Sequence, residues 1–378
     1  MEMGIASASG VTMREHGLEA PLPGGRTGYF NFYWLRDNCP TSFESETRER
    51  TFDIFHLVRE PRPASANIAG DVLEITWLED GHISHYPLEW LSQYSEGRHR
   101  SDPADLPRRA WYADHYPDIA RFAQPRLTED RKQVVKWIEA LLVEGVAILT
   151  DMPDSDEALT ATVRLIGHVR PTFFGDYFDV KTHVNPTNLA YTAKALELHT
   201  DTPAEDMAPG VQFLHCRANS VEGGMSLFLD GVAVANDLKK EFPEAFKLLS
   251  ETLIPYYCEH DSYDMRSRQR VIELDEDGEV CGVTISQHMA DIFDLPQTFL
   301  DQYYPAFCRF GRMLQSDKYL MRFRLNAAEC IVFDNHRIVH GRAAYSATSG
   351  ERYLRGCYAD RGEMRSAYRA LTTTGRFK

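Results

Sequence analysis

In the segment Leu196-Glu197-Leu198-His199-Thr200-Asp201-Thr202-Pro203 an imidazole and a carboxylate stand two positions apart. Residues so spaced on a β-strand project from one face. His199 and Asp201 can therefore reach one metal ion from a single strand and leave the third ligand to a distant segment. Two imidazoles and one carboxylate on one side of a metal, with the other positions open, suit ferrous iron and oxygen chemistry. A His-x-Asp tripeptide is weak evidence alone, because the chain holds 14 His and 56 acidic residues. The weight comes from Ile331-Val332-Phe333-Asp334-Asn335-His336-Arg337-Ile338-Val339-His340-Gly341-Arg342, where an apolar run passes into a polar turn and then a histidine beside glycine. His340 is the expected third ligand. His336 is a rival that spacing does not exclude. Twelve positions after His340 comes Arg352. If Arg352 to Tyr358 is a strand, Arg352, Leu354, Gly356 and Tyr358 share a face, and a guanidinium and a phenol look into the same cavity.

These groups need a framework. A chain of 378 residues, 43% of them hydrophobic, is long enough for one large catalytic domain and a smaller one. A net charge of −15 argues against nucleic acid and anionic membrane surfaces as partners. No leader pattern and no long apolar run is visible. Seven cysteines (Cys39, Cys216, Cys258, Cys281, Cys308, Cys330 and Cys357) lack paired spacing, so reduced thiols in a cytoplasm are expected.

The front of the chain reads as a small β-rich domain over residues 1–100. Its strands are expected at Tyr29–Leu35, Thr51–Val58, Val72–Trp77 and His82–Tyr86, divided by turn-rich sequence. Ser95–Arg109 reads as a linker. Residues 101–378 form the catalytic domain. Thr128 is expected to cap a helix ending at Gly145, followed by a strand at Val146–Thr150. Asp154 or Ser155 caps a second helix reaching about His168, and further helices are expected at Ala233–Ser250 and Pro296–Gln315. Strands are expected at Leu189–Tyr191, Val211–Cys216, Met225–Leu229, Val271–Leu274, Met321–Leu325, Cys330–Phe333 and Arg352–Tyr358. The polar stretch Asp261–Arg270 reads as a mobile loop. This is a mainly β chain with flanking helices, a sandwich or barrel of short strands.

From about Trp34 to Tyr368 the chain resembles the γ-butyrobetaine and trimethyllysine hydroxylases of the taurine-dioxygenase-like superfamily. The resemblance is carried by Trp34-Leu35-Arg36-Asp37-Asn38-Cys39-Pro40, Asn188-Leu189-Ala190-Tyr191-Thr192, His199-Thr200-Asp201, Pro209-Gly210-Val211-Gln212, Val332-Phe333-Asp334-Asn335, His340-Gly341-Arg342 and Tyr358-Ala359-Asp360. It implies a distorted double-stranded β-helix (jelly roll) behind the small β domain, a homodimer, Fe(II) held by His199, Asp201 and His340, and O2 and 2-oxoglutarate as cosubstrates. His340, not His336, stands at the distal ligand position. Arg352 would grip the far carboxylate of 2-oxoglutarate by a paired, charge-assisted contact that lysine cannot copy.

The resemblance also implies a small zwitterionic quaternary-ammonium substrate. Such a cation has no hydrogen to donate and is recognised by aromatic faces. Phe174, Phe178, Tyr191 and Tyr358 occupy the cage positions, with Tyr177 nearby and Asn188 to orient a polar head. Phenylalanine at 174 and 178 replaces the family's tyrosine and tryptophan. At the acid end Thr202 and Ser286, with Gln287, stand where the butyrobetaine enzymes carry a tyrosine and asparagines. Small hydroxyls leave room for a tetrahedral head, so the expected reaction is hydroxylation of 2-(trimethylammonio)ethylphosphonate to its 1-hydroxy product, with γ-butyrobetaine to carnitine second. The family's structural zinc is not expected: Cys39 and His82 remain, but Thr41 and Glu44 replace the other cysteines. Two readings of other classes are a non-catalytic quaternary-ammonium binding protein and a zinc hydrolase.

Overall fold

The computed structural model describes residues 10–97, 102–181, 192–260 and 262–373. The chain divides into two compact units, Met1–Ser101 and Asp102–Lys378.

In the first unit, strands β1 (Thr12–Met13), β2 (Gly17–Leu22) and β3 (Arg26–Asn31) form one antiparallel sheet, and β4 (Pro63–Ala69), β5 (Val72–Trp77) and β6 (Ile83–Pro87) another. Leu18, Phe32, Leu35, Leu73, Ile75 and Trp77 are buried together in its core. The strand expected at Tyr29–Leu35 stops at Asn31, because that side chain accepts a hydrogen bond from the Trp34 amide and starts helix α1 (Phe32–Asp37). Thr51–Val58 is not a strand. Its apolar residues do not alternate onto one buried face, Phe55 being 91% and Val58 99% exposed, and Asp53 caps a single 3-10 turn at Ile54–His56. Cys39 Sγ, Thr41 Oγ1 and His82 Nε2 lie 3.1–3.3 Å apart in a hydrogen-bonded triangle. Glu44 turns to the amides of Glu46 and Thr47 instead.

The second unit is built on two sheets. Strand β7 (Arg121–Ala123) leads through short helix α2 (Gln124–Glu129) to α3 (Arg131–Glu144), β8 (Val146–Thr150), α4 (Asp156–Val163), β9 (Phe178–Val180), β10 (Leu196–His199), β11 (Val211–Asn219) and β12 (Ser226–Asp230). Helices α5 (Gly231–Glu241) and α6 (Pro243–Glu251) follow, then the hairpins β13 (Leu253–His260) with β14 (Tyr263–Arg270) and β15 (Ile272–Leu274) with β16 (Val280–Val283). Helix α7 (Gln297–Leu314), β17 (Met321–Phe323), β18 (Cys330–Asp334), β19 (Ile338–Arg342), β20 (Arg352–Ala359) and α8 (Arg361–Thr372) complete it.

The larger sheet runs β7-β8-β18-β11-β20-β9 and the smaller β10-β19-β12-β17. Ile148, Leu214, Phe228, Phe323, Ile331 and Leu354 pack from both sheets into one shared core. Behind the larger sheet, Trp137, Ile138, Leu159 and Tyr368 of the helices cover Ala147, Phe213 and Val332. Behind the smaller, α5 and α7 cover Leu229 and Val339.

Several boundaries differ from expectation for local reasons. Asp130, not Thr128, caps α3, accepting from the Lys132 amide, while Thr128 donates its hydroxyl to the Pro125 carbonyl. Gly145 ends the helix with φ +77°, the left-handed cap glycine favours. Ser155 caps α4 through the Ala158 amide, and that helix ends at Val163, short of His168. The single helix expected over Ala233–Ser250 breaks at Phe242, because Pro243 has no N–H to continue it and opens the next helix. Tyr263–Arg270 is an ordered strand paired with Leu253–His260, and its polar residues alternate toward solvent. The strand expected at Leu189–Tyr191 lies outside the described residues. No helix among the described residues is long and apolar enough to cross a membrane.

Candidate active site

His199 is the last residue of β10, and His340 sits opposite it on the paired strand β19. Asp201 is not on that strand. The chain leaves β10 at Thr200, whose amide donates to the Ile285 carbonyl at 2.7 Å, and turns through Thr202 at φ +51°. The bend brings Asp201 Oδ1 to 3.0 Å from His199 Nε2 and 3.7 Å from His340 Nε2. One donor atom from each residue lies within 4.8 Å of the others.

Neighbouring groups orient those donors. His199 Nδ1 donates to the Glu197 carbonyl at 2.7 Å, which turns Nε2 toward Asp201. Tyr358 donates its hydroxyl to Asp201 Oδ2 at 2.7 Å, leaving Oδ1 to ligate. Asn335, in the turn between β18 and β19, accepts from the Asp201 amide at 2.7 Å and donates to the Asp201 carbonyl at 3.1 Å. Burial alone would raise the Asp201 carboxyl, but the imidazoles of His340 and His199 and the Tyr358 hydroxyl hold it well below the usual range. Burial, then the neighbouring His199, pushes His340 down to about 3, the Asp201 carboxylate opposing in part. Two imidazole nitrogens and a carboxylate oxygen fit ferrous iron with open positions. His336 is elsewhere, its Nε2 donating to the Ala208 carbonyl at 3.0 Å.

The triad opens into a cavity that is partly open to solvent. Arg352, the first residue of β20, is buried in its wall, and among the described residues neither its Nε nor its Nη1 has a hydrogen-bond partner. Burial, helped by the charge of Arg342, lowers its guanidinium to about 10. A buried cation so poorly compensated calls for an anion, and its forked donors match a carboxylate such as that of 2-oxoglutarate. Arg342 lines the same cavity and donates through Nη2 to the carbonyls of Thr192 and Lys194, both at 2.7 Å.

Three of the expected cage residues come together. The ring centroids of Phe178 and Tyr358 are 5.1 Å apart, and those of Phe174 and Phe178 5.7 Å. Phe178 lies over Gly356, where an added Cβ would stand 2.2 Å from its ring. Thr202 lines the cavity with its hydroxyl buried and without a partner among the described residues. A β-branched residue at positive φ is strained backbone.

Other expectations need correction. Tyr177 turns away, its hydroxyl meeting Thr160 and its ring lying under the Arg355 guanidinium. Ser286 is off the cavity wall; its backbone bridges His199 and its hydroxyl reaches toward His288 at 3.4 Å. Gln287 is exposed and also off the wall. Asn188 and Tyr191 lie outside the described residues. Sequence reasoning missed His288, which lines the cavity with its ring 4.9 Å from that of His199. It also assigned no role to Asn335 or Arg342, although both stand in the motifs that carry the family resemblance.

A family model described as taurine catabolism dioxygenase TauD, TfdA family, matches residues 109–358. The chain is 32% identical over 358 residues to the γ-butyrobetaine dioxygenase of Pseudomonas sp. (strain AK-1), covering 93% of this chain and 92% of that protein. It is 32% identical over 358 residues to the γ-butyrobetaine dioxygenase of Homo sapiens, with 89% and 90% covered. The mitochondrial trimethyllysine dioxygenase of Rattus norvegicus is 25% identical over 354 residues, with 90% and 82% covered. Among solved structures, AAD-2 in complex with Mn(II) and N-oxalylglycine matches with a TM-score of 0.51 and 12% identity over 61% of this chain and 90% of that one, a likeness of fold. These relatives displace the binding-protein and zinc-hydrolase readings. The chain belongs to the TauD/TfdA dioxygenase family and is an Fe(II)- and 2-oxoglutarate-dependent dioxygenase.

Proposed function

We propose that this enzyme hydroxylates an unactivated C–H bond of a small acid bearing a trimethylammonium group, within a distorted double-stranded β-helix formed by the two sheets. His199, Asp201 and His340 hold the iron, and Arg352 holds the distal carboxylate of 2-oxoglutarate. When bound, iron and 2-oxoglutarate together supply the oxidising power for C–H hydroxylation, with succinate and carbon dioxide as by-products. The protein positions the substrate and keeps the oxidant from other reactions.

One observation carries the reading. Tyr358 serves two partners, its hydroxyl bonded to the metal-facing carboxylate of Asp201 and its ring continuing into Phe178 and Phe174. A trimethylammonium group seated on those faces gains roughly 0.5–2 kcal/mol per ring, depending on desolvation. Its neighbouring carbons then lie beside the metal ligands.

The acid head separates two substrates. Thr202, whose hydroxyl in the wall has no partner among the described residues, supports 2-(trimethylammonio)ethylphosphonate. The likeness to γ-butyrobetaine dioxygenases over about nine tenths of the chain supports γ-butyrobetaine. Turnover of both compounds by the Fe(II)-loaded enzyme, followed as succinate and hydroxylated product, decides between them. Carnitine formation without phosphonate hydroxylation rejects the phosphonate. Succinate release unstimulated by either compound, or by trimethyllysine, rejects the trimethylammonium reading.

A further inference from the structure

An acid head needs donors, and the walls around the triad divide unequally. His340 is backed by the rings of Phe333 at 4.9 Å and Phe228 at 5.7 Å, which offer none. On the Asp201 side Tyr358 has already committed its hydroxyl to that carboxylate. The two arginines have other work: Arg342 holds the carbonyls of Thr192 and Lys194, and Arg352 answers the cosubstrate. Beside the Thr202 hydroxyl next to Asp201, the flank of His199 remains. There His288 lines the cavity at its mouth, its ring set edge-on to His199 with an interplanar angle of 75°. Its contact to Ser286 Oγ, 3.4 Å at best, is long enough to exchange for a better acceptor. Gln287, the neighbour with the more obvious amide donor, lies off the wall.

We infer that His288 recognises the anionic head of the substrate, donating an imidazole N–H to it while the rings of Phe174, Phe178 and Tyr358 hold the cationic end. This rests on the trimethylammonium-acid reading. A substrate so spanned lies across the triad between a donor on one flank and π faces on the other, with its intervening carbons over the metal ligands. The edge contact with His199 fixes the imidazole's position, so the distance between head and cage selects chain length.

The test uses the Fe(II)- and 2-oxoglutarate-loaded enzyme with His288→Ala and His288→Asn. Steady-state KM and kcat are measured with 2-(trimethylammonio)ethylphosphonate and γ-butyrobetaine. Choline, which has the same cation and no acid, is titrated as a competitive inhibitor. Loss of a hydrogen bond to a charged group should raise KM for whichever acid is turned over roughly ten- to a hundredfold in the alanine variant. Asparagine, which keeps a donor, should restore part of that loss. Choline inhibition and the visible charge-transfer band formed anaerobically with 2-oxoglutarate should not change. An unchanged KM for the acid, or equal losses for acid and choline, overturns the assignment and makes His288 a brace for His199. If the wild-type enzyme neither binds nor turns over either acid, the trimethylammonium-acid reading itself has failed, and the role of His288 falls with it.

Discussion

Arg352 enters the cavity buried and, among the described residues, with Nε and Nη1 unanswered, so its value depends on the anion it meets. Replacing it with leucine removes two charge-assisted donors and leaves the triad intact. Arg352→Leu should weaken 2-oxoglutarate binding by about 2–4 kcal/mol. Iron affinity should change little. Anaerobic titration of the charge-transfer band after Fe(II) loading measures both, and equal loss of iron and keto-acid affinity would assign Arg352 to the fold instead. At this scale the sequence was legible where chemistry constrains residue type. An imidazole, a carboxylate and a forked cation have few substitutes, so His199, Asp201, His340 and Arg352 stand out. His288 did not, because its partner His199 is 89 positions away and a histidine in a polar segment has no local signature. The bend at Asp201 was equally hidden, since a β-branched threonine is a poor predictor of φ +51°.

Among the elements, β11 joins the middle of the larger sheet, between β18 and β20. Its His215 is fully buried, and among the described residues neither ring nitrogen has a partner. Burial, then the charge of Arg217, pushes its pKa down to about 4, the carboxylates of Asp154 and Asp156 opposing only in part. The unfolded chain takes up this proton below about 6.5, the folded chain only below about 4. The unfolded state therefore binds more protons between those values, and stability falls as pH drops through that window. The loss should approach about 3 kcal/mol by the bottom of the window. Denaturant melts of the wild type and His215→Leu at pH 7.5, 5.5 and 4.5 test this. The variant should show a shallower decline, and parallel curves would remove His215 from the account. Strands such as β5, β11 and β18 were readable because β-branched and aromatic runs sat between turn residues. Helix starts were less so: Thr128 and Asp130 both cap well, and only the path of the chain out of α2 selects the second. The β13–β14 hairpin was hidden by a strand whose outward residues are almost all polar, which resembles a loop until its partner is known.

For the whole molecule, binding and folding are linked. A metal and a keto acid that bind only the folded chain each add roughly 2.7 kcal/mol at a hundred times their dissociation constant. Mn(II), which resists oxidation, together with 2-oxoglutarate should raise the melting temperature by about 5 °C or more. His340→Ala should abolish the metal-dependent part, and a shift surviving in that variant would place the metal elsewhere. The chain divides into Met1–Ser101 and Asp102–Lys378, and near residue 100 turn-rich short strands give way to capped helices. The pairing of β10 with β19 was not legible in the sequence, since it joins segments some 140 positions apart. Asn335 makes that long-range closure durable. One carboxamide ties the bend bearing Asp201 to the turn that leads into the His340 strand. Stripping with a chelator should therefore leave an empty socket, and reconstitution needs only ion diffusion and capture, without refolding.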